Sequence, residues 1–112
     1  MQKNIIIEEV PEELPELELK KGDYAVAYPM NFYAGAGVYG VNGSDGIVKL
    51  SRCIENLDGR ILIKEVGNQN QRSVTPADFK KIVNHKLFAR IIIDNNLPSI
   101  AVEGLRVILR GE

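Results

Sequence analysis

The chain has no tryptophan, a single histidine and a single cysteine, Cys53, among 112 residues. One cysteine excludes an intrachain disulfide framework and any metal site built only from cysteines. The single histidine, His85, cannot form one of the familiar zinc-binding motifs without a second histidine, and it is expected at the surface or at a helix end. We therefore predict no metal and no cofactor, and a reducing, cytoplasmic setting is the simpler interpretation.

Long apolar runs and an excess of positive charge are also missing. No run approaches the ~20 residues that a membrane helix needs, and the N-terminal residues lack the basic-then-apolar layout of a secretion signal. The formal net charge of -1 gives no overall cationic field to attract nucleic acid or an anionic membrane. We predict no membrane association, and contact with DNA only through a separate domain.

The composition that remains, with 45% apolar residues, suffices for one hydrophobic core in one domain. Residues 1–21 form an acidic lead-in arm, because its first 18 residues hold six glutamates and one lysine. Residues 4–7 are compatible with a short strand. Pro11 and Pro15 remove backbone donors and disfavour helix in the residue before each, so we predict an extended, solvated segment from Glu8 to Glu18.

From Gly22 onwards, closely spaced glycines separate short apolar runs that are rich in valine, isoleucine and tyrosine. This spacing is typical of β-hairpins. Residues 22–93 are therefore predicted to be a mostly β domain, and the middle three of its strands should form an antiparallel meander. The predicted strands are Tyr24–Tyr28, Val38–Val41, Ile47–Ile54, Arg60–Val66 and Leu87–Ile93.

One helical signal interrupts this β pattern. Thr75 offers an N-cap hydroxyl, Pro76 takes the first helical position, and Asp78 places a carboxylate in the first turn. Phe79 and Ile82 follow on one face. This spacing predicts one short helix or helical turn.

Residues 94–112 read as a C-terminal extension that is more apolar than a closed small sheet needs. A last hairpin with Glu103 and Gly104 in its turn fits the pattern, and a helix is the alternative. Exposed strands of this kind find partners, so a dimer contact and packing within the chain are equally expected. The candidate interface residues are Ile100, Val102, Leu105, Val107 and Leu109.

Six short segments occur in an order and spacing that resemble the C-terminal domain of LexA and related phage repressors, over roughly residues 17–93. The segments are Leu19–Tyr24, Gly37–Val41, Gly46–Leu50, Gly59–Leu62, Gly67–Asn70 and Phe88–Ile93. The resemblance implies a small LexA-like (signal-peptidase-like) antiparallel β fold. It also implies serine/lysine self-cleaving chemistry, in which a buried lysine with a lowered pKa takes the proton of a serine hydroxyl.

Lys49 matches the general-base lysine of that family, but the serine has no counterpart. The family's Ser-Met-x-Pro segment lies about eight residues before the Gly-Asp pair and here reads Leu14–Glu18, and no serine, threonine or cysteine precedes Ser44. The scissile Ala-Gly or Cys-Gly pair is also absent from residues 1–21. Ser51 and Cys53 lie ~6.6 Å and ~13 Å along the strand from Lys49, so structural roles are expected for both.

The resemblance without its nucleophile predicts a non-catalytic oligomerisation and regulatory domain of a phage-type or stress-type transcriptional repressor. Its expected partners are a second copy, in a homodimer or higher oligomer, and a regulatory protein. One alternative is an active serine/lysine self-cleaving peptidase whose nucleophile is unrecognised or comes from another chain. Another is a small β-barrel adaptor that binds protein or nucleic acid.

Overall fold

A computed structural model describes residues 5–94, 96 and 98–111. Its strands form one seven-stranded antiparallel sheet in the order β1-β2-β7-β3-β4-β5-β6. The strands are β1 Ile6–Glu9, β2 Tyr24–Pro29, β3 Gly37–Asn42, β4 Val48–Glu55, β5 Ile61–Glu65, β6 Gln71–Val74 and β7 Val83–Ile91; the helices are a 3-10 turn Pro15–Leu17, α1 Pro76–Ile82 and α2 Ser99–Arg110. The predicted mostly β fold is confirmed.

Strands β3 to β6 form a meander through tight turns that the sequence marks clearly. Gly46 and Gly59 adopt φ of 81° and 84°, a region that favours glycine. The carboxylates of Asp45 and Asp58 each accept the backbone N–H two residues on, at 3.0 Å, which fixes both turns. The predicted meander of the middle strands is confirmed, and β6 adds a short polar strand that the sequence reading did not include.

Helix α1 returns the chain from the sheet edge at β6 to the sheet centre. The hydroxyl of Thr75 accepts the N–H of Asp78 at 3.1 Å, and Pro76 begins the helix, so the predicted cap and helix are confirmed. Strand β7 then inserts between β2 and β3, pairing Arg90 with Ala25 and His85 with Gly40. This insertion joins the two halves of the sheet.

Two apolar clusters hold the sheet, each built around residues buried from solvent. The first contains Tyr39, Val41, Cys53, Ile61, Ile63 and Phe79. The rings of Tyr39 and Phe79 pack edge to face, with their centroids 5.3 Å apart. The second contains Val10, Leu17 and Leu19 of the acidic arm, packed with half-buried residues of β2, β4 and β7. The prediction of a solvated segment from Glu8 to Glu18 is wrong at Val10 and Leu17, whose apolar side chains point inward between the glutamates.

The C-terminal segment is a helix, α2, and the predicted hairpin in residues 100–109 is wrong. Val102, Arg106 and Leu109, at helical spacing, are half-buried, whereas Glu103 and Gly104 lie within the helix rather than in a turn. The β-branched residues suggested strands, whereas burial follows a helical period along this segment. No helix in the described part of the chain is long and apolar enough to cross a membrane.

Candidate functional site

Lys49 lies in β4, beside the acidic arm. A cavity of about 360 Å³ separates the two, and it is lined on the arm side by Pro11, Glu12 and Leu14 and on the sheet side by Lys49 and Leu50, among others. The second apolar cluster holds this part of the arm against the sheet. Of the segment Leu14–Glu18, where the resemblance places a nucleophile, only Leu14 lines this cavity together with Lys49.

The surroundings of Lys49 are polar rather than buried. Its Nζ lies 3.5 Å from Oδ2 of Asp45, and its side chain is 41% exposed. The pKa of Asp45 is lowered, chiefly by the hydrogen bond from the N–H of Ile47 and then by Lys49, so this carboxylate is charged at neutral pH. A lysine general base requires an apolar, desolvated environment that favours the neutral amine. Lys49 instead forms a solvated ion pair.

The arm side of the cavity offers no nucleophile. Pro11 and Leu14 bring only carbon atoms, and Glu12 brings a carboxylate. Serine/lysine chemistry needs a hydroxyl within hydrogen-bond reach of the amine. These three residues cannot supply one.

Ser51 and Cys53 follow Lys49 at alternate positions of β4, and both are buried. Desolvation raises the pKa of the Cys53 thiol to about 12, so the group stays protonated and unreactive at neutral pH. Ser51 and Lys49 line a common cavity of about 70 Å³, room for about two water molecules. Of the two candidate replacement nucleophiles, Ser51 is the one whose surroundings include Lys49 and a solvent-sized space.

Two arginines from the sheet fasten the arm. Arg52 of β4 donates from Nε to Oε2 of Glu16 at 2.7 Å and from Nη2 to its backbone carbonyl at 2.9 Å. Arg90 of β7 donates to the carbonyl of Leu17 at 2.6 Å and to the carboxylate of Glu18 at 3.0 Å. The hydrogen bond from Arg52, with that from the N–H of Gly67, lowers the pKa of Glu16.

Sequence reasoning did not identify this clamp. Its only signal was the opposition between the acidic arm and the positive balance of the remaining residues. This difference in net charge shows that the arm can be attracted to the rest of the chain, but it does not show which arginines bind the arm. The clamp fixes the arm along the Lys49 cavity.

The Gly22-Asp23 pair fixes the other end of the arm. Gly22 adopts φ of 95°, and the buried carboxylate of Asp23 accepts the backbone N–H groups of Lys20 at 2.9 Å and Ile93 at 3.0 Å. One side chain thus joins the arm, the start of β2 and the segment after β7. Its role is to position these elements.

His85 lines a second cavity, of about 370 Å³, together with residues of β1, β2 and β4 that include Ile6, Glu8 and Val48. Its ring lies directly over Gly40, where any Cβ would collide with the imidazole. Nδ1 is buried without a hydrogen-bond partner in the described structure, and burial lowers the pKa of the imidazole, although Glu8 acts in the opposite direction. His85 is thus half-buried, three residues past the end of α1, with its side chain lining this cavity.

The candidate interface residues divide between two sides of α2. Ile100, Leu105 and Val107 are exposed, whereas Val102 and Leu109 are half-buried. Only the first three are available to a partner.

Comparisons of the chain with protein-family models, with curated proteins and with solved structures found no match. Within residues 5–94, 96 and 98–111, no three or more histidine, cysteine, aspartate or glutamate side chains are grouped so that they could hold a metal ion.

Proposed function

We propose that this chain is a non-catalytic, LexA-like oligomerisation and regulatory domain of a phage-type or stress-type transcriptional repressor, working in the cytoplasm. The observation that carries the proposal is the position of Lys49. Lys49 and the arm residues Pro11, Glu12 and Leu14 line one cavity, but these arm residues have no hydroxyl or thiol. The absence of a nucleophile beside this lysine is what supports a non-catalytic role.

The ion pair of Lys49 supports the same conclusion. With Asp45 at 3.5 Å and a side chain in contact with solvent, the amine lacks the apolar, desolvated surroundings that a lysine general base needs. The two missing requirements, a nucleophile and a desolvated base, are independent of each other. Restoring one of them would leave the chemistry incomplete.

A repressor domain that does not cut still has a physical use, because paired DNA half-sites are matched by a two-fold protein dimer. The net charge of -1 gives this chain no electrostatic attraction of its own for DNA, so a separate domain would make that contact. The domain would then supply symmetry and a surface for a regulatory protein.

Self-cleavage is tested by incubating the purified chain from pH 7 to pH 10 and following its intact mass. We expect the full mass to persist at every pH, and Lys49→Ala to behave identically. Fragments that form in the unaltered chain but not in Lys49→Ala would overturn the proposal.

One observation favours the peptidase alternative, namely the small cavity that Ser51 shares with Lys49. Ser51→Ala discriminates between the two functions in the same assay. Cleavage that is lost in both Ser51→Ala and Lys49→Ala would assign Ser51 as the nucleophile.

A further inference from the structure

Helix α2 turns its polar stripe towards its own sheet. Arg106, with a side chain only 16% exposed, places Nη1 3.1 Å from Oε2 of Glu9 and 3.4 Å from the hydroxyl of Tyr24. Arg110, one turn further on, places Nη2 3.8 Å from the other oxygen of Glu9. Two arginines of the helix therefore contact one carboxylate of β1, and this contact sets the rotation of the helix about its axis.

The side of α2 that points away from the sheet is apolar throughout. Successive helical residues are rotated by about 100°, so Ile100, Ala101, Gly104 and Ile108 lie opposite Arg106. Ile100 is 81% exposed and Ile108 is 73% exposed. A surface helix normally buries its apolar face and leaves its charged face in water. In α2 the side towards the sheet combines Arg106 with the half-buried Val102 and Leu109, and the single chain leaves the opposite, apolar side uncovered.

The exposed face is symmetric about Gly104, because Ile100 and Ile108 are each four residues from it. If two copies of α2 cross antiparallel on a two-fold axis, Gly104 meets Gly104 and Ile100 of one copy meets Ile108 of the other. A Cβ at Gly104 would meet no atom within 4 Å in the single chain, so no internal packing requires glycine there. Glycine in the interior of a helix is destabilising, and the close approach of a second backbone is a physical reason to retain Gly104.

The charges on α2 favour a second copy over a membrane as the occupant of this face. Helices that bind anionic lipid present lysine or arginine beside their apolar face. Here Arg106 and Arg110 both point away from that face, towards Glu9 of β1. The flanks carry Leu105 and Val107 instead, and both are exposed.

The area available fits a weak dimer. The exposed parts of Ile100, Leu105, Val107 and Ile108 amount to about two fully exposed side chains, or roughly 200 Å² of apolar surface in each copy. Two copies would together bury roughly 400 Å² of apolar surface, and with a polar rim the total stays below roughly 1,000 Å², the size of a weak or transient contact.

We propose that the outward face of α2 forms a two-fold, antiparallel helix–helix contact with a second copy of this chain. This inference rests on the proposed oligomerisation function and specifies its surface. It replaces the strand contact expected from the sequence and drops Val102 and Leu109 from the interface.

Sedimentation velocity at micromolar concentration tests the contact. We expect a monomer–dimer equilibrium for the unaltered chain and an at least tenfold weaker dimer for Ile108→Glu. Leu57→Glu is the matched control, because Leu57 is fully exposed in the β4–β5 turn and should leave the equilibrium unchanged. A dimer that Ile108→Glu does not weaken would overturn this interface while leaving a dimeric regulatory domain in place.

Cysteine cross-linking tests the geometry without depending on affinity, since the natural Cys53 is buried. Under mild oxidation we expect Gly104→Cys to form a disulfide-linked dimer rapidly. Ile100→Cys should cross-link poorly with itself but efficiently when mixed with Ile108→Cys. Rapid self-linking of Ile100→Cys would indicate a parallel pair and contradict the proposal. In a separate vesicle-flotation experiment, a monomeric chain that floats with phosphatidylcholine–phosphatidylglycerol vesicles would contradict it as well.

Discussion

Replacing Asp23 with alanine should destabilise the domain more than the same replacement of an aspartate in an exposed turn. The buried carboxylate accepts N–H groups from Lys20 and Ile93 at 2.9 Å and 3.0 Å, and alanine leaves both donors without it. The N–H of Ile93 is buried, whereas the N–H of Lys20 is only partly so. Water can therefore replace the carboxylate at Lys20 but not easily at Ile93.

The expected loss follows from the cost of these two bonds. A hydrogen bond to a charged group contributes about 1.5–3 kcal/mol, and an unsatisfied buried donor costs about 1–3 kcal/mol. We therefore expect Asp23→Ala to lower the free energy of unfolding by about 3–5 kcal/mol, and Asp23→Asn, which keeps one acceptor oxygen, by about 1–2 kcal/mol.

Urea unfolding followed by circular dichroism measures both changes. Asp58→Ala is the matched control: its carboxylate also accepts one backbone N–H, from Arg60 at 3.0 Å, but in an exposed turn, so a loss of only about 0.5 kcal/mol is expected. An Asp23→Ala variant within 1 kcal/mol of this control, on the scale of one ordinary hydrogen bond, would refute the reasoning.

Three further predictions concern buried polar groups. The pKa of His85 is lowered in the native state, which therefore binds the imidazole proton less tightly than the unfolded chain, and stability should be lost as pH falls below about 6.5. Urea titrations at pH 5 and pH 7.5 should show a smaller loss of stability for His85→Gln. Tyr39→Phe removes the hydroxyl that accepts the N–H of Ala34 and donates to the carbonyl of Gly35, both at 2.7 Å, so calorimetry should show Tm lowered by about 4–10 °C. Cys53, with a thiol pKa of about 12, should react with iodoacetamide at pH 8 at least about 100-fold more slowly in the native protein than in urea.

The parts of the fold that could be predicted are those encoded locally. The turns at Gly46 and Gly59 and the cap at Thr75 are each specified by a few adjacent residues, and all three appear where the sequence places them. Strand β6 could not be predicted in this way. Only Val74 of its four residues is apolar, and the strand exists because β5 pairs with it.

The missed features of the site depend on contacts between distant residues. Arg52 binds Glu16 across 36 positions and Arg90 binds Glu18 across 72, distances over which local pattern carries no information. The same holds for α2. Its β-branched residues favoured a strand in isolation, whereas Arg106 finds Glu9 only in the folded chain. Lys49 was identified through a resemblance, and its ion pair with Asp45 emerged only from the structure.

Native mass spectrometry of the unaltered chain, after prolonged incubation from pH 7 to pH 10, tests the central claim most directly because one spectrum reports both cleavage and assembly. The account predicts intact chains of 12.5 kDa and a dimer of twice that mass, with no fragments. Complementary fragments, or intact monomers alone at micromolar concentration, would contradict it.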